Sequence, residues 1–222
     1  MSSTDVEIIS LAMMRQSLYV AVVCDALDAT GLSNQSPRKQ FHQLTVKETL
    51  VGRCKTTLWA DMVHLDPQPY QLELQAVDEC QPDDILIAAA GGSMRSGIWG
   101  ELLATAAKMT GCEGVIIDGT VRDVKKMRSM GFCVYALGTC AYDSLNRQRV
   151  IDCNIPVEID GVVFNPGDLV FADEDGVVVV PQSVEERVIR SAWEKVHAEN
   201  TTRDAIRGGM SATAAYKKYG IL

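Results

Sequence analysis

Between Ile85 and Leu137, apolar runs of strand length alternate with stretches of helical spacing, and no other feature constrains the fold as much. Ile85 to Ala90 reads as a short buried strand, and Ile98 to Met109 as a helix stopped by Gly111. Val115-Ile116-Ile117 is β-branched and suits a central strand. Val124 to Met130 is a short helix closed by Gly131, and Phe132 to Leu137 is the next strand. Parallel strands need a crossover between them, and helices supply it. The expectation is an α/β fold with parallel pairing at its centre.

The flanks add elements to this core. Thr4 to Glu7 has capping-box spacing and is expected to open a first helix. A second helix is expected from Leu18 to Thr30, with Gly31 placed to stop it. Gly52 to Ala60 alternates as a strand, and Gln71 to Cys80 has helical spacing. Ile155 to Ile159, Asp160-Gly161 and Val162 to Phe164 read as a hairpin with a tight turn. Leu169 to Ala172 and Val177 to Val180 are further strands, joined by Asp173-Glu174-Asp175-Gly176 as a hairpin turn. A long helix from Val184 to Arg207 ends at Gly208-Gly209, and a short one precedes Gly220. Gln81-Pro82-Asp83-Asp84 echoes Asn165-Pro166-Gly167-Asp168, each ahead of a strand. No linker or low-complexity tract interrupts the 222 residues, so one compact domain is expected.

Composition excludes several classes of function. The net charge of −8 and pI near 4.9 oppose a nucleic-acid surface, which needs a concentrated basic face. Apolar runs such as Ile85 to Ala90 are far too short to cross a bilayer. Met1 to Glu7 lacks the basic segment and apolar core of a secretory signal. Seven cysteines form an odd set with no C-x-x-C pair, as expected of reduced thiols in a cytoplasmic protein. His42, His64 and His197 are too dispersed for a zinc site. Gly91-Gly92-Ser93-Met94-Arg95-Ser96-Gly97 has neither dinucleotide-fingerprint nor P-loop spacing, and reads as a loop flanking a site.

Chemistry concentrates between Glu101 and Asp123. Glu101 stands near the start of the middle helix, twenty residues intervene, and Arg122-Asp123 follows the central strand. Gly100 precedes the helix, and the amides of Leu102 and Leu103 carry its positive end, where a carboxylate or phosphate binds. Arg122 suits bidentate clamping of the same anion. Asp123 is a hard oxygen donor of the kind Mg²⁺ or Mn²⁺ takes. By spacing alone, the same residues also suit a helix cap with an exposed ion pair.

Gly100-Glu101-Leu102-Leu103-Ala104-Thr105-Ala106, Gly114-Val115-Ile116-Ile117-Asp118-Gly119 and Val121-Arg122-Asp123-Val124 carry a resemblance. Gly91-Gly92-Ser93, Asp25-Ala26-Leu27-Asp28 and Asp175-Gly176-Val177-Val178-Val179-Val180-Pro181 extend it over most of the chain. The sequence resembles the family that joins class II 4-hydroxy-4-methyl-2-oxoglutarate/4-carboxy-4-hydroxy-2-oxoadipate aldolases with the regulator of ribonuclease E activity A. The resemblance implies a swivelling β/β/α fold with mixed sheets and a long C-terminal helix. It also implies homotrimers or homohexamers with sites between subunits.

For chemistry it implies a metal-dependent lyase acting on small 2-oxo acids through a pyruvate enolate, by aldol cleavage or by oxaloacetate decarboxylation. Mg²⁺ (or Mn²⁺) would be held directly by Asp123 and otherwise by water. Arg122 and the Leu102 and Leu103 amides would hold the carboxylate end, and a water between Arg122 and Glu101 would return the proton. Glu199 of a neighbouring subunit, with Glu194 as the other candidate, would reach the metal's waters. Where the aldolases carry an aspartate this chain has Glu101, and where the ribonuclease regulators carry acids after the Arg-Asp pair it has Lys125-Lys126. The other function open to the family is non-catalytic binding of an RNA-processing ribonuclease.

Overall fold

The computed structural model describes residues 8–46 and 48–221. The helix expected to open at Thr4 to Glu7 falls outside them. The first described helix is α1 (Leu11–Ser17), where Ser10 Oγ accepts from the Met13 amide at 3.3 Å. In chain order there follow α2 (Val20–Asp28), β1 (His42–Gln43), β2 (Leu50–Asp61), α3 (Gln71–Asp78) and β3 (Asp84–Trp99). Next come α4 (Glu101–Met109), β4 (Gly114–Val121), α5 (Val124–Ser129), β5 (Cys133–Thr139) and β6 (Gln148–Cys153). The chain closes with β7 (Val157–Ile159), β8 (Val162–Phe164), β9 (Leu169–Asp173), β10 (Gly176–Val180), α6 (Glu185–Arg207) and α7 (Ala212–Tyr219).

The main sheet runs β1-β5-β4-β3-β2-β9-β10, with β6 also paired to β2. β2, β3, β4 and β5 are mutually parallel, as the alternation in the sequence requires. The outer pairings are antiparallel, so the sheet is mixed. It is also strongly curled. Tyr135 on β5 donates its hydroxyl to the Ala172 carbonyl on β9 at 3.0 Å, although three strands lie between them in the order. The β7–β8 hairpin fills the inside of this nearly closed sheet, where Ile159 and Phe164 pack on Ile87, Ile116 and Tyr135. Outside, α3, α4 and α5 cover one flank through Val77, Ala104, Ala107 and Met127. α1, α2 and α6 cover the β9–β10 flank through Met14, Leu27, Val188 and Ala192. The mixed α/β class and the long C-terminal helix agree with the sequence.

Three expectations need correction. β3 does not stop at Ala90 but runs on to Trp99, and the glycine stretch is part of it rather than a loop. Gly91 and Gly92, at φ 63° and 74°, let the strand bulge, and its pairing with β4 shifts register after Ala88. Ile98 and Trp99 end that strand instead of opening a helix. Both are 2% exposed, and Trp99 stacks on Phe132 with ring centroids 6.4 Å apart. β6, polar at three of its six positions and without an apolar run of strand length, is recruited by pairing with β2.

The echoed turns are equivalent in space. The Gln81 amide donates to Asp84 at 2.8 Å and the Asn165 amide to Asp168 at 3.2 Å. Asp83 and Gly167 each take positive φ, at 69° and 83°. The two turns deliver β3 and β9 to opposite edges of β2. This close docking makes Gly52 obligatory, since a Cβ there would sit 2.2 Å from the Asp83 carbonyl oxygen. Gly52→Ala is expected to cost about 3 kcal/mol or more by forced backbone displacement, read as a lower urea midpoint.

Candidate functional site

Two parallel strands end side by side. Trp99 on β3 is in register with Val121 on β4, and the Arg122 amide donates to the Trp99 carbonyl at 2.8 Å. The chain therefore leaves both strands at one level, through Gly100 into α4 and through Arg122-Asp123 into α5. The carboxyl ends of such strands are where open α/β sheets bind ligands.

Gly100 caps α4 in an extended conformation and has no side chain to satisfy the first amides. Asp123 does so from the neighbouring turn, its Oδ2 accepting from the Glu101 amide at 3.3 Å. Asp123 is itself left-handed (φ 58°, ψ 26°), a conformation aspartate tolerates better than most residues. A Cβ at position 100 would lie 2.9 Å from that carboxylate oxygen and 3.3 Å from Arg122 Nε. Among the described residues, the Leu102 and Leu103 amides have no hydrogen-bond partner. They carry the partial positive charge of the helix start.

Arg122 is held from two sides. Its Nη2 lies 3.2 Å from Asp143 Oδ1, and its Nε 4.0 Å from Asp123 Oδ2. Asp143 is fixed in turn, because Tyr70 donates its hydroxyl to Oδ2 at 2.5 Å and the Ser144 amide donates to Oδ1 at 2.8 Å. Glu101 points towards α5, with Lys126 Nζ 3.7 Å from Oε2 and Thr105 Oγ1 donating to Oε1 at 3.2 Å. Gly100, Glu101, Leu102, Leu103, Arg122 and Asp123 line one cavity of about 270 Å³ together with Tyr70, Glu73 and Asp143. A larger open cleft of about 890 Å³, between residues 32–43 and the Glu174–Gly176 turn, contains none of them.

A family model described as RraA-like, Aldolase/RraA, matches residues 20–179. The chain belongs to the RraA-like family. A relative in Halalkalibacterium halodurans, named "Putative 4-hydroxy-4-methyl-2-oxoglutarate aldolase", is 29% identical over 90% of this chain and 90% of its own length. A protein of the same name in Hahella chejuensis is 37% identical over 49% of this chain, which spans 65% of that relative. Among solved structures, RraAS2 of Streptomyces coelicolor, described as an unusual member of the RNase ES inhibitor RraA protein family, aligns with a TM-score of 0.77. It is 28% identical and covers 87% of this chain and 94% of its own.

In this RraA-like chain the six neighbouring site residues expected from the sequence do converge. Glu199 does not join them within the chain. It lies on α6, where Tyr19 donates its hydroxyl to it at 2.6 Å and Arg203 approaches to 3.7 Å. Glu194 lies on the same helix. Among the described residues no group of three or more His, Cys, Asp or Glu side chains is arranged to hold an ion. Asp123 nevertheless fits a cation that keeps most of its water, since its carboxylate is partly exposed and Glu101 and Asp143 bring further carboxylates to the same cavity, although Arg122 stands 4.0 Å from it.

Three residues of the cavity escape sequence reasoning. Tyr70 and Asp143 arrive from distant segments and bear no local mark. Glu73 does bear one: with Ala76 and Val77 of α3 and Cys80 just past its end it falls on i, i+3, i+4, i+7 spacing, all four buried. An acid on an apolar stripe is a signal. Burial pushes the Glu73 carboxyl up to about 8; the Asp143 charge adds to this and Arg122 opposes it. Burial and the bond to Asp143 push Tyr70 up to about 12, so its phenol stays a donor.

Unfolded, Glu73 titrates near its ordinary value of 4.5; folded, it keeps its proton to about 8. Across that window the folded state binds the extra proton, so this contribution to stability is full below the window and lost as pH rises through it. Glu73→Gln removes the group. Its unfolding free energy should fall less than that of the wild type between about pH 5 and about pH 8, measured by urea titration at both; equal falls would contradict the assignment.

Proposed function

We propose that this RraA-like chain is a divalent-metal-dependent lyase that cleaves a carbon–carbon bond in 2-oxo acids. 4-Hydroxy-4-methyl-2-oxoglutarate cleavage and oxaloacetate decarboxylation both fit, because both pass through pyruvate enolate. The reading is carried by one convergence: the Arg122 guanidinium, the unpaired Leu102 and Leu103 amides and the Asp123 carboxylate face the same cavity. The names of the Halalkalibacterium and Hahella relatives support it.

A 2-oxo acid offers a carboxylate beside a keto oxygen. The amides at the start of α4 bind the carboxylate, as helix N-termini bind anions, and Arg122 clamps it. Asp123 would hold Mg²⁺ or Mn²⁺, with Glu199 of a neighbouring copy as a partner through water. When bound, the ion would supply positive charge that stabilises the enolate formed from the keto group. Arg122 stabilises the negative charge that grows as the bond breaks, and Asp143 and Tyr70 keep its guanidinium in place for this. Glu101 and Arg122 hold the water that returns a proton to the enolate carbon.

Assembly as a homotrimer or homohexamer, with the site between subunits, belongs to the same proposal. Leu102, 79% exposed at the cavity, suits cover by a second copy. A cytoplasmic setting is supported by seven free cysteines. Among the described residues no helix is long and apolar enough to cross a membrane. The net charge of −8 supports a partner that is not nucleic acid.

Pyruvate release from either acid is expected to need Mg²⁺. Asp123→Asn and Arg122→Lys should each lower kcat/KM about 100-fold or more. Full turnover in excess chelator would sink the mechanism. A second reading, non-catalytic binding of an RNA-processing ribonuclease, is favoured by the likeness to RraAS2. Recovery of a ribonuclease in a pull-down, with no turnover of any 2-oxo acid, would replace the first reading with it.

A further inference from the structure

Glu73 is 7% exposed, yet it lines the cavity that holds Arg122 and Asp123. Among the described residues its carboxyl has no hydrogen-bond partner in the protein, and its oxygens are not sealed in but open on the cavity. A carboxyl so placed, with no protein partner and open to the cavity, is free to accept a proton from a ligand bound there. Aldol substrates carry one group that decarboxylation substrates lack, the hydroxyl on C4. We propose that Glu73 is the acid–base group that takes the proton from the C4 hydroxyl of a 4-hydroxy-2-oxo acid. This rests on the lyase reading and extends it.

In the step, the Glu73 carboxylate accepts the hydroxyl proton and the O–H electron pair becomes the second bond of a new C4 carbonyl. The C3–C4 pair moves to form the C2–C3 double bond, and the C2 oxygen takes the negative charge. The products are a carbonyl compound and pyruvate enolate, and Glu73 passes its proton to water. β-Decarboxylation of oxaloacetate needs no such base, since its C4 is a carboxylate that leaves as CO₂.

The surroundings suit the task. Asp143 and Arg122 are the charged groups acting on Glu73, one raising its proton affinity and the other lowering it. Tyr70, at the start of the same helix, is tied up with Asp143, and Glu101 on the cavity lining is paired with Lys126. Burial holds the carboxyl near 8, where a general base keeps both a reactive fraction and enough basicity.

The test compares wild type, Glu73→Gln and Glu73→Leu for Mg²⁺-dependent pyruvate release from 4-hydroxy-4-methyl-2-oxoglutarate and from oxaloacetate. In both variants the ratio of aldol cleavage to decarboxylation should fall about 100-fold. In the wild type the aldol rate should rise towards about pH 8, and this rise should vanish in Glu73→Gln. An unchanged ratio, with both activities present, overturns the role of Glu73 and leaves the lyase reading standing. Wild-type protein that releases pyruvate from neither acid overturns both. If the variants do not fold, the wild-type profile decides: a ratio flat from about pH 6 to about pH 9 overturns the role.

Discussion

Trp99 and Val121 face each other at the ends of two parallel strands, and the Arg122 amide closes the ladder on the Trp99 carbonyl at 2.8 Å. Gly100, Glu101, Leu102, Leu103, Arg122 and Asp123 take their positions from that register. A slip of one residue would turn Arg122 to the other face of the sheet and separate the starts of α4 and α5. In the observed register the two helix starts nearly touch. The α4 amides then need a cap that Gly100 cannot provide, and Asp123 supplies it from across the gap. The glycine and the aspartate are thus one device: the missing side chain makes room for the carboxylate that does its work.

The same crowding sets the electrostatics. Asp123 is spent partly on the Glu101 amide, so Arg122 finds its closer partner in Asp143. A second carboxylate near one guanidinium would leave Glu73 facing excess negative charge if it were ionised, which is why Asp143 adds to the effect of burial there. With Glu73 neutral, the cavity keeps the guanidinium and the open amides of α4 available to an anion. A cavity lined by four acids in a chain of net charge −8 can still admit an anion because each acid has a local reason not to repel one. Asp123 caps a helix, Asp143 neutralises Arg122, Glu101 meets Lys126 and Glu73 holds its proton.

Much of this was legible before any coordinates. The alternation from Ile85 to Leu137 specifies the succession β3, α4, β4, α5 and β5 because the strands begin as apolar runs and the two helices have helical spacing ended by Gly111 and Gly131. The interval from Glu101 to Asp123 is legible for the same reason: one helix and one strand have a fixed combined length, which returns the chain beside its starting point. The sequence misleads at Gly91 to Trp99. A bulged strand containing glycines at positive φ loses the period of two that marks a strand, and Ile98-Trp99 then looks like the head of the following helix. β6 escapes because its order comes from β2, and Tyr70 and Asp143 escape because only the folded chain brings them to Arg122.

Glu101 shows how a local substitution acquires meaning from its surroundings. Where the aldolases of the resembling family have aspartate, the longer side chain here reaches Thr105 within α4 and Lys126 on α5. Lys126 is 69% exposed and the pair is 3.7 Å apart, so its contribution to stability is small, well under about 1 kcal/mol. Its consequence is orientation. The contact spans the two helix starts that the strand register brought together, and it draws the carboxylate towards α5. An aspartate at this position, one methylene shorter, could not make the same reach without moving the backbone. Lys126 lies in the Lys125-Lys126 pair, which stands where the resemblance implies acids in the ribonuclease regulators, so the two departures from the resembled groups meet in one ion pair.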